Sequence, residues 1–73
     1  MTQYIKMFYH GECLINLDHV ANIKREENVI AFLKSNGSEV ALFEAPNSAY
    51  AQEKMNAIIS YVKDAEDRVF YLY

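Results

Sequence analysis

The sequence predicts a small α+β domain: a mostly antiparallel sheet in the order β-β-β-β-α-β, with one amphipathic helix packed on one face. Three observations predict it. Short runs rich in aromatic and β-branched residues recur between turn residues, notably His10-Gly11 and Ser35-Asn36-Gly37-Ser38. Ala51, Met55, Ile58, Ile59 and Val62 fall on one helical stripe. A last apolar run, Arg68 to Tyr73, follows that helix.

Tyr4 to Tyr9 reads as the first strand, with Tyr4, Lys6 and Phe8 on one face and Ile5, Met7 and Tyr9 on the other. His10-Gly11 is its turn, Gly11 supplying positive φ. Glu12 to Leu17 returns as a second strand, Cys13, Ile15 and Leu17 sharing a face opposite Leu14 and Asn16. Asn16 or Asp18 caps a short helical turn through His19 and Val20. Ala21 to Glu26 resumes as an extended segment, which Glu27-Asn28 breaks with a polar turn. Val29 to Lys34 has little alternation, so a central strand covered on both faces is expected. Asn36-Gly37 turns the chain into Glu39 to Ala45, and Pro46, lacking an amide hydrogen, ends that strand. Asn47 or Ser48 then caps a helix of about 16 residues. The polar stretch Asp64-Ala65-Glu66-Asp67 closes the helix region, and Arg68 to Tyr73 forms a strand apolar on both faces, which something must cover.

A chain of 73 residues with 52% hydrophobic and 23% charged side chains is one domain, residues 1–73, and not a disordered tail. Its folded surface should be roughly 4,700 Å². Seven basic against ten acidic residues leave a net charge of -3, which argues against a polybasic nucleic-acid arm. No apolar run approaches the roughly 18 residues a membrane span needs. One cysteine, Cys13, forms no internal disulfide and fits a reducing compartment. The N-terminus lacks the pattern of a signal peptide, so a cytoplasmic location is expected.

His10, Cys13 and His19 are the soft metal ligands of the chain. A structural zinc site takes four ligands in paired spacings, so a turn histidine, a packed thiol and a surface histidine are expected instead. Cys13 with either histidine would also need a group to orient the base and donors for an oxyanion. No phosphate-cradling or nucleophile-elbow motif occurs among only two glycines. Neither enzyme activity nor a cofactor is expected.

Lys24-Arg25 is the one basic pair; with Lys34 it defines the nucleic-acid alternative, weakened by Glu26-Glu27 directly after it. Glu26, Glu27, Glu39, Glu44, Glu53, Asp64, Glu66 and Asp67 suit a solvated acidic face better than a specific patch. Six tyrosines are many for this length, and tyrosine is both a strand former and an interface residue. Tyr4, Phe70, Tyr71 and Tyr73 are therefore the expected interface, the last three on a terminal strand open to edge pairing.

The stretch Ile15-Asn16-Leu17-Asp18-His19-Val20-Ala21-Asn22-Ile23, then Val29-Ile30-Ala31-Phe32, Asn36-Gly37 and a helix after Glu44, resembles a set of small bacterial and phage proteins that includes FlbD-like flagellar regulators. The resemblance spans roughly residues 12 to 62. Pro46-Asn47-Ser48 replaces the usual helix entry of that set, and the strand Arg68 to Tyr73 is an addition. The resemblance implies a small sheet-plus-helix protein that acts by binding, and offers no catalytic residues. The expected function is thus a protein-binding or assembly module, bacterial or phage-borne, forming a homodimer or binding another protein. The alternative is a transcription-associated regulator contacting nucleic acid.

Overall fold

The computed structural model describes residues 3–64 and 68–73. Among these residues, six strands, a single 3-10 turn and one long helix make a small α+β fold. They are β1 (Tyr4–Phe8), β2 (Glu12–Asn16), β3 (Asn22–Glu26), β4 (Val29–Leu33), β5 (Glu39–Glu44), α1 (Ser48–Lys63) and β6 (Phe70–Tyr71), the 3-10 turn being Leu17–His19. The extended segment after that turn is thus a paired strand, β3, and five strands precede the helix rather than four. The strands divide into two sheets of three, ordered β2-β1-β6 and β3-β4-β5. Every pairing is antiparallel except β1 with β6, which is parallel.

Turn chemistry sets the registers of the three hairpins, β1-β2, β3-β4 and β4-β5. His10 and Gly11 both adopt positive φ, 58° and 107°, between β1 and β2. The Glu27-Asn28 turn closes β3 on β4 with Glu27 at φ 56°, a left-handed conformation that costs a residue bearing Cβ about 1–2 kcal/mol. Beyond β4, Gly37 at φ 86° donates its amide to the Lys34 carbonyl, while the Lys34 amide reaches Ser38. Asn36 Oδ1 accepts from both the amide and the hydroxyl of Ser38. A register shift at Phe32/Leu33 accommodates this three-residue loop.

β4 is central, as its uniform apolarity predicts, but only one of its faces is covered: Ile30 and Phe32 are fully buried in the core, whereas on the outer face Ala31 is buried between half-buried Val29 and Leu33. β5 stops at Glu44, before Pro46, and Ala45 closes onto Asn28 through a reciprocal pair: Ala45 N donates to the Asn28 carbonyl and Asn28 Nδ2 to the Ala45 carbonyl. Asn47 caps α1 by accepting from the Tyr50 amide at 2.8 Å. Asn16 likewise caps the 3-10 turn by accepting from Asp18 N.

One core joins both sheets and the helix: Ile5, Met7 and Ile15 from the first sheet, Ile30, Phe32 and Ala41 from the second, Ala51, Ile58 and Tyr61 from α1, and Leu72 beyond β6. The chain exposes 4741 Å², in line with its size. The helix buries part of the stripe expected of it: Ala51 and Ile58 are buried and Met55 packs against the core, but the other two members stay outside. Ile59 and Val62 are 51% and 44% exposed, while Tyr61 is buried to 2%. The physical reason is the Tyr61 hydroxyl. It accepts from Tyr4 N at 3.2 Å and lies against the carbonyls of Tyr4 and Arg68, whichever of them takes its single proton. Three backbone groups of β1 and the approach to β6 are thereby anchored to the helix.

The terminal strand is shorter than the run Arg68 to Tyr73, only Phe70 and Tyr71 pairing as strand, although Leu72 N continues the ladder to the Lys6 carbonyl. Of the polar stretch Asp64-Ala65-Glu66-Asp67, residues 65–67 lie outside the described residues, as do Met1 and Thr2.

Candidate interaction surface

The pairing of β1 with its two neighbours creates the most distinctive surface of the molecule. Lys6 stands opposite Leu14 on β2 and Tyr71 on β6, and Phe8 stands opposite Glu12. Pleating places Ile5, Met7, Cys13, Ile15 and Phe70 on the other face, toward the core. The outer face of this sheet therefore carries Phe8, Leu14 and Tyr71, with Tyr73 following, and these are 57%, 56%, 57% and 49% exposed. Large apolar side chains this open, grouped on one sheet face, make it the candidate interaction surface of the chain.

These side chains organise one another. The Phe8 and Tyr73 rings lie 5.7 Å apart, and Tyr71 meets Tyr73 edge-on at 6.2 Å. The Lys6 ammonium sits 5.7 Å from the Tyr71 ring centroid and pairs with Glu12 at 3.1 Å. The hydrogen bond and attraction of Glu12 raise the Lys6 pKa above its ordinary value, against a smaller lowering by burial. The Tyr73 backbone oxygen accepts from the Tyr50 hydroxyl, which ties the chain at Tyr73 to α1.

Of the four residues singled out from composition, the face unites Tyr71 and Tyr73, with half-buried Tyr4 at its margin opposite Asn16. Phe70 does not join them. Its pairing with Ile5 turns it inward, where its ring meets Tyr61 at 5.3 Å. Phe8 and Leu14 belong to the face and were not singled out, although the strand pattern already aligned Phe8 with Tyr4 and Lys6.

A groove of about 470 Å³ continues from this face between the two sheets, lined by Phe8, Tyr9, Leu42, Phe43 and Tyr73 among others. Tyr9, on the wall of this groove, donates its hydroxyl to Glu39 Oε1 on β5. That hydrogen bond is the main cause raising the Tyr9 pKa, with burial and the Glu39 charge adding to it. The outer face of the second sheet differs in charge: Val29, Ala31, Leu33 and Leu42 form its floor, and Lys24, Glu26, Glu39 and Glu44 surround them.

The cations of the nucleic-acid alternative do not converge. Lys24 and Arg25 alternate to opposite faces of β3. Lys24 lies 3.9 Å from Glu26, and Arg25 donates to the Glu27 carbonyl at 2.7 Å. Lys34 follows the far end of β4, beside Asp18 and His19. Cys13 packs against the core opposite Met7, His10 lies over the Tyr9 ring at 4.3 Å, and His19 is exposed on the 3-10 turn. Among the described residues, no three His, Cys, Asp or Glu side chains come together to hold a metal ion. No helix among them is long and apolar enough to cross a membrane. No family model, curated protein or solved structure matches the chain.

Proposed function

We propose that this chain is a non-catalytic protein-binding or assembly module whose working surface is the outer face of the β2-β1-β6 sheet. The observation that carries the reading is the grouping of Phe8, Leu14, Tyr71 and Tyr73, all about half exposed, on one rigid face. Aromatic side chains supply large contact area at low entropic cost, and strands hold them in fixed register. Cys13 supports the same reading, because it faces inward and packs on the core rather than presenting a thiol beside a base.

The test is capture of binding partners from a bacterial lysate, with and without nuclease, read by mass spectrometry. Wild-type protein should retain a protein partner, or itself, after nuclease treatment, and Tyr71→Ser/Tyr73→Ser should lose it. Unchanged capture by that double variant would defeat the proposal. Capture that disappears with nuclease would replace it with nucleic-acid binding, for which Lys24→Glu/Arg25→Glu is the decisive variant.

A further inference from the structure

We infer that the occupant of this face is a second copy of the same chain, so that two β2-β1-β6 sheets pack face to face in a symmetric dimer. The inference rests on the binding role proposed above and names its partner. Charge is the first argument. The chain carries a net charge of -3, so two copies repel wherever their acidic surfaces meet. The outer face of the other sheet places Glu26, Glu39 and Glu44 around one lysine. On the aromatic face, by contrast, the charges are Lys6 and Glu12, already neutralising each other at 3.1 Å. Copies of one chain can therefore meet there without opposing like charges, and the face offers no excess charge to select a basic or acidic partner.

Area is the second argument. A buried aromatic side chain covers about 150–250 Å², so the half-exposed side chains here offer about 100 Å² each. With Lys6 and Glu12 between them, a copy contributes about 500–600 Å². Two copies would then bury about 1,100 Å², just below the range of stable specific interfaces and within that of weak, transient ones. A contact of that size belongs with weak, reversible association, visible as a mass that rises with concentration. A two-fold contact also uses the same patch twice, so every half-exposed ring on the face is covered in both copies at once.

Sedimentation equilibrium from low-micromolar to near-millimolar concentration tests this. The wild type should move from 8.5 kDa toward twice that mass. Phe8→Ser/Tyr71→Ser should stay monomeric throughout while keeping the wild-type circular dichroism and the dilute melting temperature. Lys6→Glu should also stay monomeric, because it leaves two unpaired carboxylates on each face. Adding Glu12→Lys to it rebuilds the pair in reverse and should restore the dimer, which a mere loss of folding would not allow. A wild type that remains at 8.5 kDa overturns the second-copy assignment but leaves the binding role to be decided by the capture experiment. A dimer that persists in both Phe8→Ser/Tyr71→Ser and Lys6→Glu places the contact elsewhere and likewise overturns the second-copy assignment, the working surface again being decided by the capture experiment.

Discussion

Replacing Tyr61 with Phe keeps the ring in the core and removes one oxygen. The Tyr4 amide then loses its acceptor, and the carbonyls of Tyr4 and Arg68 lose a shared donor in a partly buried setting. Leaving such groups unsatisfied costs about 1–3 kcal/mol, and in a domain this small each kcal/mol lowers Tm by about 4–8 °C. Thermal melting of Tyr61→Phe should therefore show a loss of several degrees. Glu27 presents the opposite case. Its φ of 56° is comfortable for glycine, and nothing requires its exposed side chain. Glu27→Gly should gain about 0.5–1 kcal/mol, the left-handed strain relieved exceeding the entropy glycine loses on folding. A melting temperature that falls in that variant would show that the turn depends on its side chain.

At the scale of elements, the helix shows what can be read from a sequence and what cannot. Its existence follows from an Asn cap, a Pro before it and a 3.6-residue period, and it spans the expected 16 residues. Which of two neighbouring stripes faces inward does not follow from hydropathy. Ile59 and Val62 outrank Tyr61 by hydropathy, yet Tyr61 goes inside because its hydroxyl finds backbone partners that no aliphatic side chain could use. Ile58→Ala should thus cost about 2–5 kcal/mol by chemical denaturation, whereas Ile59→Lys should stay within about 0.5 kcal/mol of wild type. The sheets repeat the lesson. Composition pointed to Tyr71 and Tyr73, and alternation grouped Phe8 with Lys6. Only the parallel register of β6 against β1 shows that Tyr71 joins that face while Phe70 turns away. Long-range pairing of that kind has no local signature, and neither does the division of the strands into two sheets.

For the whole molecule, Lys6 and Tyr9 point to alkaline sensitivity. Lys6 and Tyr9 each titrate higher in the folded chain than their ordinary values, through Glu12 and Glu39 respectively. A raised folded pKa means that the stabilisation is complete below the unfolded pKa and is lost as pH rises through the folded one. Stability from these pairs should be flat through neutral pH and decline above about pH 10. Melting followed across that range should show the decline, and Lys6→Met and Tyr9→Phe should each flatten it. A decline that persists unaltered in both variants would assign it to other groups.

The parallel pairing of β1 with β6 also governs the order in which the chain can assemble. β3, β4 and β5 are consecutive and joined by tight turns, so their sheet needs only local closures. β1, however, is the middle strand of its sheet, and its second neighbour lies more than 60 residues away in sequence, beyond the helix. Closing a loop that long is entropically costly, and contacts of such separation form slowly. The β3-β4-β5 sheet with α1 should therefore carry the folding nucleus, with substitutions at Ile30 and Phe32 slowing folding and those at Phe70 and Leu72 mainly hastening unfolding. Until β6 docks, β1 presents one bare edge, and the rings of Tyr71 and Tyr73 have no sheet to stand on. The face proposed to meet a partner is then the last part of the fold to exist.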